Sequence, residues 1–167
     1  MIELRRITEK SMSKILALNV SENQKHYIDT GGNKDALAFC YAWTVEGKDV
    51  HAHAVYAEDE VVGLMIYLYE MIDFEEEEFH GLPCYGKVAC WIDYLMIDEK
   101  HQGKGYGRLA FEKLLEDIER TALEVTEYAM IRYSTDNNVA KNIYSLFGFK
   151  ELFVLEDGCY ALKHLMG

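Results

Sequence analysis

Proline is nearly missing from this chain, with Pro83 the single example in 167 residues, and no Gly/Ser-rich stretch or internal repeat divides it. One domain over residues 1–167 is therefore expected, long enough for one well-buried core. Long apolar runs are also lacking. The longest, around residues 61–69, falls far short of the ~20 residues a membrane-spanning helix needs. The first six residues, Met-Ile-Glu-Leu-Arg-Arg, carry no apolar stretch followed by a small-residue cleavage site, so the expected location is cytoplasmic. Cys-x-x-Cys pairs are absent: Cys40, Cys84, Cys90 and Cys159 stand far apart. Cys84 and Cys90 with His80 lack the second ligand pair of a tetrahedral site, so the four read as buried thiols and no metal is expected. Basic residues are few, 17 against 29 acidic ones for a formal charge of -12. That balance repels nucleic-acid phosphates and anionic membranes, and it attracts small cations.

What is present alternates between strand and helix patterns. Residues 2–7 alternate apolar and polar as a half-buried strand does, and Thr8 offers an N-cap for an amphipathic helix to about Leu18. A polar segment, 21–33, leads to a short helix over 34–43 whose apolar side is expected at Leu37, Phe39, Tyr41 and Trp43 or their neighbours. Residues 50–57 and 61–69 form a hairpin about Glu58, Asp59 and Glu60, followed by an acidic loop over 73–80. Then come a strand over 89–97, a helix marked by Leu109, Leu114, Leu115 and Ile118, a strand over 128–133, and a helix over 138–147 stopped by Gly148. Residues 149–155 and 159–165 close the chain as a hairpin around Glu156, Asp157 and Gly158. The fold class is α/β, a mixed sheet with helices packed on it.

The chemistry concentrates where the strand over 89–97 runs into Gln102, Gly103, Lys104, Gly105, Tyr106, Gly107 and Arg108. A glycine turn that opens a helix presents free backbone N–H groups and the positive end of the helix dipole, which suits a pyrophosphate. Two common uses of such a turn fail. A dinucleotide fingerprint needs a third glycine where Arg108 stands, and a P-loop needs Ser or Thr where Gly105 stands.

The spacing of Gln102, Gly105 and Gly107, joined to Asn137, Ala140, Tyr144, Gly148 and Phe149 downstream, resembles the GNAT superfamily of acyl-CoA N-acyltransferases. The resemblance covers most of the C-terminal half. It implies a mixed, mostly antiparallel sheet of about seven strands, splayed between the fourth and fifth, with the pantetheine arm of acetyl-CoA in the opening. Leu95, Met96 and Ile97 would line the arm, the amides of residues 102–108 would hold the diphosphate with charge from Lys104 and Arg108, and Asn137 and Ala140 would complete the cofactor site. An N-capping role is open to either Asn137 or Asn138. Tyr144 resembles the general acid that protonates the leaving thiolate, and a strand N–H freed by a bulge near Met96 would stabilise the oxyanion. Asp93 is the candidate base or amine ligand, on the argument that a mid-strand carboxylate is costly to bury without a partner; a salt bridge to Arg132 or Lys87 is the structural alternative. His51, His53 and Glu58 are weaker candidates for the base.

Within that superfamily, residues 21–28, 144–149 and 156–158 are similar to bacterial spermine/spermidine-type acetyltransferases. The implied acceptor is a polyamine or other small amine, bound by Glu22, Tyr27 and Asp93, with Asp29, Asp73 and residues 75–78 able to hold distal amines. An aminoglycoside, a protein or peptide amine, or acetyl-CoA sensing without turnover remain the alternatives. A homodimer is implied as well.

Overall fold

The longest apolar run of the sequence becomes the middle of the sheet. The computed structural model describes residues 1–28, 31–122, 126–156 and 158–165; Asp29 and Asp157, both named above, lie outside the described residues. The strands are β1 (Ile2–Arg6), β2 (Asp49–Ala57), β3 (Glu60–Met71), β4 (Val88–Ile97), β5 (Tyr128–Ser134), β6 (Lys150–Leu155) and β7 (Gly158–His164), and the helices α1 (Glu9–Leu16), α2 (Gly32–Val45), α3 (Glu77–His80), α4 (Tyr106–Thr121) and α5 (Asn138–Leu146). They make one seven-stranded sheet in the order β1-β2-β3-β4-β5-β7-β6. Every neighbouring pair is antiparallel except β4 and β5, which run parallel. The mixed sheet with flanking helices expected from the sequence is the observed architecture.

β3 is apolar without alternation because both its faces are covered. Leu64 and Ile66 pack with Ile15 of α1 and Ala36 and Cys40 of α2, while Met65 and Tyr67 pack with Phe111, Leu114 and Ile118 of α4. Leu64, Met65 and Ile66 are wholly buried, which contributes about 1.5–3 kcal/mol each relative to exposure.

Local signals explain the helix ends. Thr8 caps α1 in a capping box with Ser11, and the helix stops at Leu16, two residues short of the expected end. α2 starts at Gly32 because Asn33, buried, ties its first turn down: the Asn33 amide donates to the carbonyls of Ile15 (2.8 Å) and Leu18 (3.3 Å), and its Oδ1 accepts from Tyr94 Oη at 2.9 Å. The buried side of α2 is therefore Asn33, Ala36 and Cys40. Phe39 and Tyr41, expected inside, are 55% and 75% exposed. Gly148 ends α5 at φ +86° as expected, and all four cysteines are free and buried.

One inserted residue in β4 shapes everything downstream. Ile66 pairs with Tyr94 but Tyr67 pairs with Ile92, which leaves Asp93 as the extra residue of a β-bulge. The insertion flips the side-chain alternation: Cys90 and Ile92 face the α4 side, whereas Tyr94 and Met96 face α1 and α2. The bulge expected near Met96 thus lies at Asp93, and Met96 pairs regularly with Leu64. Among the described residues no helix is long and apolar enough to cross a membrane, and no group of three or more His, Cys, Asp or Glu side chains is arranged to hold a metal ion.

A polar cluster sits between the sheet and α4. Tyr67 Oη donates to Asp117 Oδ2 at 2.7 Å, Arg120 pairs with the same carboxylate, and His53 Nε2 lies 3.6 Å from it. Burial pushes the His53 imidazole below its ordinary 6.5, only partly opposed by Asp117. Burial alone would raise Asp117, but hydrogen bonds from Tyr67 and Arg120 and the nearby positive charges hold it below 3.8. Between the folded and unfolded pKa of His53 the unfolded chain binds the extra proton, so stability is full above about pH 6.5 and declines as pH falls through that window. Asp117 adds a second loss as pH falls below 3.8 and through its lowered folded value. Urea denaturation of wild type is expected to show declining stability from about pH 7 to pH 5, with a flatter profile for His53→Gln; identical slopes would remove His53 as a cause.

Candidate active site

At the end of β4 the chain makes a short 3-10 turn (Glu99–His101), then passes through Gly103 and Gly105 at φ +74° and +76° before α4 begins. Both glycines occupy the left-handed region that L side chains rarely adopt. Gly105 is the N-cap of α4 and supplies no side-chain acceptor, and the first turn holds no acidic residue. By contrast, α1 is capped by Thr8 and α5 by Asn137, whose Oδ1 accepts from Ala140 N–H at 3.1 Å. An uncapped, acid-free helix start is chemically suited to an anion. The Gln102 amide braces the turn from below, donating to the Ile97 carbonyl at 2.9 Å and to Gln24 Oε1 at 3.0 Å.

Above this turn lies a cavity of about 450 Å³. Its walls include Leu95, Met96 and Ile97 of β4, Gln102, Gly103, Gly105, Tyr106, Gly107 and Arg108 from the turn and α4, and Asn137, Ala140 and Tyr144 at α5. Lys104 is the exception among the expected cofactor residues: it is exposed, with Nζ 5.9 Å from the Tyr106 ring centre, and does not border the cavity. The opening exists because β4 and β5 pair only where Cys90, Trp91 and Ile92 meet Ala129, Met130 and Ile131. Past that point β4 continues from its bulge without β5 beside it.

A second cavity, of about 520 Å³, lies on the other side of the splay. Tyr27, Ile28, Leu95, Asn137 and Tyr144 border both. Tyr144 is 7% exposed, packed against Phe111 at 4.9 Å and Tyr133 at 5.3 Å between ring centres, and burial pushes its hydroxyl above the ordinary tyrosine value. Such a group holds its proton through the neutral and moderately alkaline range.

Asp93 borders the second cavity and is exposed, so it is not the costly buried carboxylate that the sequence suggested; the bulge turns it outward. Burial first and the negative charge of Asp93 second push the Cys40 thiol of α2 up to about 12. Lys87, a partner considered above, lies 3.5 Å from Glu127. Tyr27 reaches the junction of the cavities, but Glu22 is exposed, pairs with Lys25, and borders neither. His51 and His53 stack near Tyr67 on the α4 side of the sheet, and Glu58 sits at φ +57° in the β2–β3 turn, so none of the three reaches the cavities. Asp73 and residues 75–78 also lie off both walls.

The 3-10 segment Glu22–Tyr27 bridges the two lips of the cleft. Gln24 meets Gln102 on one lip; on the other, His26 Nε2 sits 3.0 Å from Asp136 Oδ2, and Tyr27 Oη donates to the Asp136 carbonyl at 3.4 Å. Sequence reasoning missed this strap, and it missed Asp35, which borders the second cavity with Phe39 and Trp43 of the same helix. Their spacing of i, i+4, i+8 was a readable signal.

The chain is similar to known acetyltransferases. The sequence model of the Acetyltransferase (GNAT) family matches residues 17–149. A spermine/spermidine N(1)-acetyltransferase of Bacillus subtilis is 29% identical over 155 residues, covering 89% of this chain and 88% of that protein. Among solved structures, spermidine N-acetyltransferase from Vibrio cholerae, in complex with CoA and spermine, superposes with TM-score 0.67 at 19% identity over 98% of this chain and 95% of that one. YncA from Salmonella typhimurium, with acetyl-CoA, superposes with TM-score 0.64 at 15% identity over 100% and 95% of the two chains.

The positive φ at Gly105 gives a direct expectation. Gly105→Ala lowers stability in urea by about 1–2 kcal/mol, whereas Gly81→Ala, at φ -88° with open space around it, stays near wild type. Equal effects at the two positions would contradict a strained turn.

Proposed function

The chain belongs to the acetyltransferase (GNAT) family, and on that premise we propose that it transfers an acetyl group from acetyl-CoA to a primary amine, foremost a polyamine, by direct attack in a ternary complex. The observation that carries this reading is the meeting of two cavities at Leu95, Asn137 and Tyr144. One suits the donor and the other the acceptor, so the reacting atoms come together without a covalent enzyme intermediate. The donor reading is supported by the uncapped start of α4: amides of residues 103–108 and the Arg108 side chain hold the diphosphate, and Leu95, Met96 and Ile97 line the pantetheine arm.

In the reaction the amine nitrogen forms a bond to the acetyl carbon and the carbon–sulfur bond breaks. A primary alkylamine is almost wholly protonated at neutral pH, with a pKa near ~10.4, so its proton must leave first. Asp93, exposed on the acceptor side, attracts the cation and takes up the proton through water. β4 backbone beyond Ile92, where β5 pairing stops, supplies the N–H for the oxyanion. Tyr144 gives its proton to the departing thiolate and regains one through water as the nitrogen sheds its second proton to become the amide; a hydroxyl whose pKa is raised by burial stays protonated until then, which fits an acid and not a base.

One domain, a cytoplasmic location and a homodimer belong to the same proposal. Relatives acting on spermine and spermidine support the polyamine assignment, as does the net charge of -12.

Tyr144→Phe is expected to lower kcat by roughly 10²-fold while CoA affinity by calorimetry changes little; unchanged turnover would take the acid role from Tyr144. In wild type, kcat/KM rises with pH from about 6 to 9 as the amine deprotonates, with no falling limb from Tyr144, whose pKa lies above 10.0. Thiol release across spermidine, spermine, diamines, aminoglycosides and peptides tests the acceptor: reaction with a peptide while every polyamine is inert would replace the polyamine reading.

A further inference from the structure

One wall of the acceptor cavity is a helix face with an unusual make-up. Asp35, Phe39 and Trp43 follow one another at i, i+4 and i+8 on α2, all bordering the cavity, and so form a stripe about 12 Å long. Phe39 and Trp43 stack with ring centres 5.9 Å apart at 26°. Phe39 is nonetheless 55% exposed, a large aromatic surface that the core does not use. Trp43 already stands near one cation, Lys48 Nζ, 5.8 Å from its ring centre.

Asp35 is held in place by an absence. A Cβ added at Gly31 would lie 1.8 Å from Asp35 Oδ2, so the carboxylate occupies space that only glycine leaves open. Asp93 borders the same cavity, and its charge reaches Cys40, the residue after Phe39. On the β5 side Arg132 also borders the cavity, with its guanidinium 5.8 Å from the centre of the Tyr160 ring and close to Gly158.

We propose that the Asp35–Phe39–Trp43 face of α2 is a subsite for a second positive charge on the acceptor, which selects linear di- and polyamines over monoamines. This rests on the acceptor reading above. The carboxylate attracts the distal ammonium, and the aromatic faces take it by cation–π contact while the methylene chain lies along the rings. A ring face partly withdrawn from water makes each such contact stronger than at an open surface. The acetylated nitrogen stays beside Tyr144 and Asp93, so the subsite acts on binding and not on the chemical step.

The test compares 1,6-diaminohexane with hexylamine in thiol-release assays. Wild type is expected to show a KM at least about tenfold lower for the diamine. Asp35→Asn and Trp43→Leu each raise the diamine KM by roughly fivefold or more, with kcat retained and the hexylamine KM moving less than about twofold. Gly31→Ala acts in the same direction by displacing Asp35. Retained kcat on hexylamine shows that each variant is folded. Equal KM for the two amines in wild type, or equal shifts for both in the variants, would overturn the subsite.

If no amine is acetylated, the functional reading fails while the subsite can still be judged. The chain has two tryptophans, Trp43 and Trp91, and both border this cavity, so intrinsic fluorescence reports on it. A saturable change with 1,6-diaminohexane, abolished in Asp35→Asn, supports the subsite; no change, or the same change with hexylamine, overturns it.

Discussion

The structure turns on an interruption of hydrogen bonding between two parallel strands. β4 and β5 share a ladder for three residues each and then part, at the point where Asp93 is inserted into β4. Unpaired backbone in a protein interior is costly and rarely persists without a partner. Here the surrounding sheet enforces it. β3 pairs with β4 on both sides of the bulge, from Val88 to Ile97, so β4 cannot slide to repair its other edge, and β5 is fixed by seven paired positions along β7.

Each element of the site follows from that parting. The extra residue inverts the alternation, turning Tyr94 and Met96 toward α1 and α2 and leaving Leu95 beside the gap. Tyr94 then reaches Asn33 and thereby fixes the start of α2, the helix whose next turns line the second cavity. α4 and α5 bring the glycine turn and Tyr144 to the same gap from opposite sides. The strap at Glu22–Tyr27 spans both lips, held by Gln102 and Asp136. Behind the sheet, against α4, Tyr67 donates to Asp117 and His53 lies 3.6 Å from the same carboxylate.

Much of this was legible because it is local. Thr8, Gly105 and Gly148 mark helix boundaries by backbone chemistry that needs no tertiary context, and the apolar run of β3 was readable as one strand of a hairpin. The glycine turn was readable from its own residues, and Tyr144 from the resemblance to the GNAT superfamily. What escaped depends on register and on contacts distant in sequence. The position of the bulge cannot be read from β4 alone, since it is defined by how Ile92 and Tyr94 pair with β3, and with it went the environment of Asp93. On α2 the aromatic residues were assigned to the core by hydrophobicity; Asn33, a polar residue, anchors the buried side instead. Glu22 looked suited to a cation but spends its charge on Lys25 at the surface.

The central claim is that the gap between β4 and β5 and the uncapped start of α4 form one continuous seat for CoA. Amide NMR during titration with CoA tests it most directly. The account predicts saturable shifts at Gly103, Gly105 and Arg108 together with Leu95 and Ile97, with β1 and β6 unmoved. Saturable binding that leaves the turn amides in place, or that moves them without the β4 amides, would contradict it.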